Sequence, residues 1–277
     1  MLSEQILIDR AGNFSSSENH KLMAGWDNAP LDRNFDSFSD LFNPLYSMVI
    51  NGKPKPLVSA MNEMLGYKVT GNDINQTWQI IKSEQPTQGL MTYAEEKAAE
   101  ELSTPDPSLV WSTVHTRNGE EREEECMRLL AKATGLNFVQ TGENQAHIHA
   151  NGVGCTPDGI VLDDIDLTKT GGEAKCKSIA IHLKNLLINN NEDLKESAFD
   201  HFVQIQTAML VTGAEYWYFA NYNPHAIEPL RFKHVKITRD NEFLKILQSR
   251  IDLAKRVKAE YLKKFEPMIN QLTTKAG

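Results

Sequence analysis

Cysteine is scarce in this chain: Cys126, Cys155 and Cys176 stand far apart, with no CxxC pair among them. Structural zinc and iron–sulfur sites need clustered ligands, and a disulfide framework needs paired spacings, so the three thiols argue against all of these. A reducing cytoplasm is the expected setting. Long hydrophobic runs are missing as well. No apolar stretch approaches the ~20 residues that span a bilayer, and no basic-then-apolar signal pattern opens the sequence, so no membrane partner is expected. Positive charge is in deficit, with 29 Lys and Arg against 37 Asp and Glu, a net charge of −8. That balance argues against a non-specific nucleic-acid coat. It leaves room for an enzyme whose basic residues line one groove, because a carboxylate metal site itself pushes the total negative. What is present is ordinary for a folded protein: 277 residues, 40% hydrophobic and 24% charged, enough to bury a sizeable core.

The chemistry gathers between Gly154 and Cys176. Ile160–Leu162 and Glu173–Cys176 are predicted as short strands, and the polar segment between them, ending in Gly171-Gly172, has the turn chemistry of a hairpin. Side chains alternate faces along a strand, so Glu173 and Lys175 share one face and Ala174 takes the other. Asp158 stands just before the first strand, between Pro157 and Gly159, where a fixed non-helical backbone is expected. Pairing the two strands therefore brings Asp158, Glu173 and Lys175 together. Two carboxylates bind a hard cation such as Mg²⁺, and a neighbouring lysine can orient or deprotonate an attacking water or offset phosphate charge. That set is equipped to cut a phosphodiester bond. A spacing this short also recurs by chance on solvated strands, so it gains weight only from its company.

The company is specific. Thr156-Pro-Asp-Gly-Ile followed by Gly172-Glu-Ala-Lys-Cys resembles the core signature of the PD-(D/E)xK nucleases, and more narrowly that of the phage-lambda-type alkaline exonucleases, the YqaJ-like viral recombinases. Further matches follow the same order along the chain. Ser15 to Ser17 predict the cap of a helix opening at about Glu18, whose positive end could meet a phosphate together with Arg10. In the family an Arg-x-Gly-x-x-[Thr/Ser]-x-Ser-Glu run binds the 5′-phosphate of the degraded strand, and Arg10, Gly12, Ser15, Ser17 and Glu18 match it.

Residues at about 25–90 are irregular and rich in proline breaks, with short helices predicted at Leu57–Leu65 and Asn75–Lys82. Typical family members are shorter here, so the segment reads as an insertion within a single exonuclease domain. Tyr93–Leu102 is predicted helical, as is the stretch from Gly119 to the C-cap Gly135. Five glutamates fall in six positions there. Helical spacing singles out Glu123, which shares a face with Cys126, Met127, Leu130 and Thr134. The family's Gly-x-x-x-Glu fits Gly119 and Glu123, making Glu123 a third acid of the site.

Asn137–Gln140 and Ala146–Ala150 are predicted strands, and His147-x-His149 lacks the third ligand a zinc pair needs. Where some family members carry an acid about ten residues before the core aspartate, this chain has Ile148 and His149, so no ligand is assigned from that position. Helices are predicted at Ser178–Ile188 and Glu196–Thr212, and the family's Gln-x-Gln maps its active-site glutamine to Gln204. Tyr216–Pro224 forms an aromatic strand closely similar to the lambda-type enzymes, Leu230–Ile237 a second strand, and Arg239–Phe265 a long amphipathic helix that ends near Pro267 in a polar tail.

Together the resemblance implies an α/β restriction-endonuclease-like fold, with a central mixed β-sheet flanked by helices. It further implies a Mg²⁺-dependent 5′-to-3′ exonuclease on double-stranded DNA ends, with Mn²⁺ able to substitute, leaving 3′ overhangs for recombination. Asp158 and Glu173 with the Ala174 carbonyl would hold one metal, and Glu123 with Asp158 a second. Lys175 would activate water with help from Gln204, and Arg10, Ser15 and Ser17 would anchor the 5′-phosphate. A ring-shaped homotrimer, a single-strand annealing protein as partner and a bacterial cytoplasm as location are the family's further implications. A structure-specific or restriction-like endonuclease on the same fold, or a non-catalytic DNA-end-binding module, are the alternatives.

Overall fold

A computed structural model describes residues 11–26, 86–104, 114–165 and 167–275. Arg10 and the predicted helices at Leu57–Leu65 and Asn75–Lys82 lie outside the described residues. Within them two sheets form. A small one orders β1 (Phe14–Ser15), β3 (Val153–Cys155) and β2 (Ile148–Ala150), with β1 parallel and β2 antiparallel to β3. The larger runs β4 (Gly159–Leu162), β5 (Thr168–Lys175), β6 (Tyr216–Tyr222) and β7 (Phe232–Thr238). Its outer pairs are antiparallel and its central pair, β5 with β6, is parallel, so the sheet is mixed as expected.

The hairpin forms, but on a different register of turn and strand. Gly171 and Gly172 lie inside β5, opposite Ile160 and Gly159, and not at the end of the turn. Both are glycine because neighbours press onto the strand. A Cβ on Gly171 would meet the Trp217 ring at 2.2 Å, and one on Gly172 the Met127 methyl at 2.8 Å. Turn propensity alone cannot distinguish a loop glycine from one that admits a neighbour.

Helices cover both faces of the larger sheet. On one face α6 (Phe199–Thr212) packs against Trp217 and Phe219, and with α7 (Asn241–Lys263) it closes the main core. On the other, α3 (Val114–Thr134) lays Cys126, Met127 and Leu130 over Ala174 and Ala220, the buried stripe expected of it. Gly135, in a left-handed conformation at φ 71°, ends α3 as its sequence indicates. The helix α2 (Gln88–Glu101) starts earlier than Tyr93 and packs on α7. Arg250 of α7 is fully buried and donates to the Leu22 carbonyl and to Thr87, tying the N-terminal segment and the start of α2 to α7.

Other boundaries differ from expectation. Val139 makes only an isolated bridge to Ile160, so the Asn137–Gln140 strand does not form. The serine-capped helix at Glu18 is absent. Phe14–Ser15 pair as a strand instead, and a short helix α1 (His20–Met23) follows, with Asn19 as a cap that makes no side-chain bond. Two helices, α4 (Ile179–Asn185) and α5 (Asn191–Ser197), precede α6, and Asn190 caps α5 by accepting from the Asp193 amide. The tail beyond Pro267 is a further helix, α8 (Glu266–Lys275). Pro267 sits in its first turn, where the missing N–H costs nothing. Among the described residues no helix is long and apolar enough to cross a membrane.

Candidate active site

Strand alternation sets the arrangement. Glu173 and Lys175 project from one face of β5, beside Phe219 and Asn221 on β6, and toward α6. Lys175 Nζ donates to Glu173 Oε1 and lies 3.4 Å from Gln204 Oε1. Gln204 Nε2 donates to the same Glu173 oxygen at 2.8 Å. The strand pairing delivers Asp158 to the end of β4, where its Oδ2 accepts the Ala174 amide at 2.6 Å. Glu123 approaches from α3. Asp158, Glu173, Lys175, Glu123 and Gln204, gathered from four places in the chain, therefore meet in one cluster.

Gln145 completes it. This residue follows the short turn Gly142–Asn144, and its Nε2 donates to Glu123 Oε1 at 2.6 Å and to Asp158 Oδ1 at 3.3 Å. Sequence reasoning missed it, because a single glutamine in a loop carries no periodic or motif signal. It lies thirteen positions before Asp158, not at the Ile148–His149 neighbourhood where an acid was sought.

Burial gives the cluster its electrostatics. Asp158 and Glu173 are 8% and 4% exposed. Desolvation, then the Glu173 and Glu123 charges, push Asp158 well above the usual carboxylate range. Burial alone would lower Lys175, but Glu173 and Asp158 outweigh it and hold the ammonium above the ordinary lysine value. Lys175 thus faces the site as a cation paired with Glu173. In that state it can hold a water or a phosphate oxygen, and it becomes a base only after giving up its proton.

The donor set suits a hard divalent cation: carboxylates on Asp158, Glu173 and Glu123, all oxygen ligands, crowded enough for mutual repulsion. Among the described residues no three His, Cys, Asp or Glu side chains converge on a common point. The carboxylate oxygens face protein donors, Gln145 on one side and Lys175 with Gln204 on the other.

The N-terminal serines form a second group. Ser15 Oγ and Ser17 Oγ are 2.9 Å apart, and the Ser15 amide donates to the Tyr93 hydroxyl at 3.0 Å. His201 lies near the first group. It lies one turn before Gln204 on α6, its ring tilted over Phe219 at 5.8 Å between centroids. Burial, then the charge of Lys175, lower its pKa from 6.5 to about 4, with Lys177 and His20 adding to the effect and Asp200 opposing it. The folded state thus keeps His201 neutral where the unfolded chain would protonate it. Its contribution to stability is intact above pH 6.5 and drains away as pH falls toward 4. Denaturant titrations across that range should show a steep acid limb that His201→Gln flattens. Parallel limbs for the two proteins would refute this.

No curated protein matches the chain in sequence. Among solved structures, the alkaline exonuclease LHK-Exo from Laribacter hongkongensis superposes with a TM-score of 0.56 at 16% identity, over 99% of this chain and 98% of that one. The same enzyme in complex with dAMP gives 0.61 at 15% identity, over 97% and 100%. A phage-related exonuclease from Haemophilus somnus 129PT gives 0.52 at 16% identity, over 66% and 87%. At such identities the likeness establishes the fold, that of the PD-(D/E)xK-like alkaline exonucleases. The family model of the YqaJ-like viral recombinase domain matches residues 66–215, which include Glu123, Gln145, Asp158, Glu173, Lys175 and Gln204 and begin inside the irregular 25–90 segment. That match spans more than half of the 277 residues, and the chain belongs to the YqaJ-like viral recombinase domain family.

Proposed function

We propose that this protein is a divalent-metal-dependent exonuclease that degrades the 5′-ended strand of duplex DNA and leaves a 3′ overhang. The observation that carries this reading is the meeting of Lys175, Gln204 and Glu123 around the two buried carboxylates Asp158 and Glu173. The family and the alkaline-exonuclease fold support it.

In this reading Asp158 and Glu173, with the Ala174 carbonyl, would hold the principal cation, and Glu123 with Asp158 would hold a second. Bound Mg²⁺ or Mn²⁺ supplies positive charge against the scissile phosphate and acidifies its water. The chain's own groups do the rest. Glu173 holds Lys175 in place through their ion pair, and Gln204, bonded to both, fixes the direction in which the ammonium points. Lys175, once its ammonium proton has passed to bulk solvent, positions the attacking water and takes the proton that water gives up on attack. Burial of the carboxylates keeps bulk water from screening these charges. The Ser15 and Ser17 hydroxyls, joined by Arg10, receive the terminal 5′-phosphate and give the enzyme its polarity. A homotrimeric ring around DNA and cooperation with a single-strand annealing protein in recombination belong to the same proposal, as does a single catalytic domain with the 25–90 segment as its insertion.

End-labelled linear duplex tests the reading. Ends carrying a 5′-phosphate should be degraded from the 5′ side at least about tenfold faster than 5′-hydroxyl ends, the scale of one charge-assisted phosphate contact. The paired variant Ser15→Ala/Ser17→Ala should erase that preference while leaving some cleavage. Internal cuts indifferent to the end would make the protein an endonuclease. Binding of ends without any cutting in Mg²⁺ or Mn²⁺ would make it a binding module.

A further inference from the structure

Gln145 lies outside every motif that identified the site, yet it touches two of its three acids. Its amide nitrogen is 2.6 Å from Glu123 Oε1 and 3.3 Å from Asp158 Oδ1. The side of the amide facing these oxygens is its NH₂ group, which donates to both. That group carries partial positive charge and two N–H donors, one for each carboxylate. It stands between the same two oxygens that a bridging cation would have to approach, and it offsets the same repulsion.

Its backbone makes displacement feasible. Gln145 is the residue after the single turn Gly142–Asn144, in an extended conformation, and belongs to no helix or strand of the larger sheet. Turning its side chain away breaks two side-chain hydrogen bonds and no sheet or helix ladder. The turn lies beside α3, where the Glu124 carboxylate comes within 2.3 Å of the place a Cβ on Gly142 would take. The backbone around Gln145 thus lies near Glu123, and its side chain is half-buried.

We infer that Gln145 is a place-holder for the cation bridging Glu123 and Asp158: its amide pins the two acids together in the metal-free protein and yields its position when the cation enters. This rests on the metal-dependent reading above. The residue is a positioning group that competes with metal, and it is not a metal ligand.

Competition sets the sign of the test. The full-length protein is stripped with chelator and titrated with Mn²⁺ by calorimetry, and its melting temperature is measured with and without Mn²⁺. Removing the amide donor destabilises only the metal-free state. Gln145→Ala and the similarly long Gln145→Met should therefore each bind Mn²⁺ about tenfold more tightly, the scale of a hydrogen bond to a charged group. Each should also melt lower than wild type when stripped and level with it when loaded. Gln145→Met keeps the side chain's bulk, so agreement between the two variants excludes a packing effect. Weaker Mn²⁺ binding in both variants would make Gln145 a ligand and overturn the inference. Unchanged binding would make it an incidental contact and overturn it equally. If wild type takes up no Mn²⁺ and Asp158→Ala behaves identically, the metal-dependent reading itself falls. Neither measurement depends on cleavage.

Discussion

Lys175→Ala should lower the rate of duplex degradation about 1,000-fold or more, the range spanned by loss of a positioned proton-transfer group or a charge-stabilising donor. The side chain sits where both roles are open to it: paired with Glu173, within reach of Gln204, and held cationic by Glu173 and Asp158 against the effect of burial. Lys175→Arg separates the roles. A guanidinium keeps the positive charge but does not surrender a proton in this range. It should preserve the Glu173 pairing and stability while leaving the rate close to that of the alanine variant. The alanine variant should lose stability when metal-free, because two buried carboxylates remain without their cationic neighbour, and a divalent cation should restore much of it. Single-turnover degradation of end-labelled duplex, read beside melting curves, distinguishes loss of chemistry from loss of fold. A rate within tenfold of wild type for Lys175→Ala would remove the lysine from the mechanism.

Gly171→Ala should destabilise the protein by about 3 kcal/mol, the upper part of the usual overpacking range. The added methyl would lie 2.2 Å from the ring of Trp217, which is itself fully buried beneath α6 and has nowhere to retreat. A flexible side chain could swing aside at little cost, but an indole must carry its surroundings with it. Trp217→Leu alone should also destabilise, by opening a cavity. Combined with Gly171→Ala the two losses should fall well short of additive, because the smaller side chain makes room for the methyl. Gly171 shares a face with Glu173, and Trp217 is two residues from Phe219, the register partner of Glu173. Displacing the ring should therefore slow cleavage even at temperatures where the variant is folded. Urea denaturation measures the first effect. A loss under 0.5 kcal/mol would mean the strand yields, and the close-contact explanation of this glycine would be wrong.

The two predictions draw on opposite kinds of legibility. Asp158, Glu173 and Lys175 could be recognised because a strand pairing converts a local spacing into a cluster, and strand alternation alone puts Glu173 and Lys175 on one face. Glu123 was recoverable because helical periodicity placed it above Cys126, Met127 and Leu130, all of which are buried. Gln206, the second glutamine of the Gln-x-Gln, is buried and satisfies backbone, donating to the Thr238 carbonyl and accepting from the Asp240 amide. Gly171 and Gly172 misled because glycine is equally at home in a turn and under a neighbouring ring. The serines at 15–17 misled for a related reason: hydroxyls that favour a helix cap also tolerate a strand edge. Here β3, a strand the sequence had not announced, recruited Phe14 and Ser15 by pairing with them.

By itself the sequence determined the family, the mixed α/β fold and the order in which the acids, lysine and glutamine enter the site, because each rests on spacing within one element or on a contiguous motif. Only tertiary structure decided which donors meet those acids. Gln145 reaches Glu123 and Asp158 across 22 and 13 residues of chain. Cys126 and Cys176, far apart in sequence, pack in one cluster beside the site because α3 lies across β5. His201 stays neutral because α6 buries it near Lys175. Contacts between separate elements depend on how whole faces pack, and neither periodicity nor a motif encodes that.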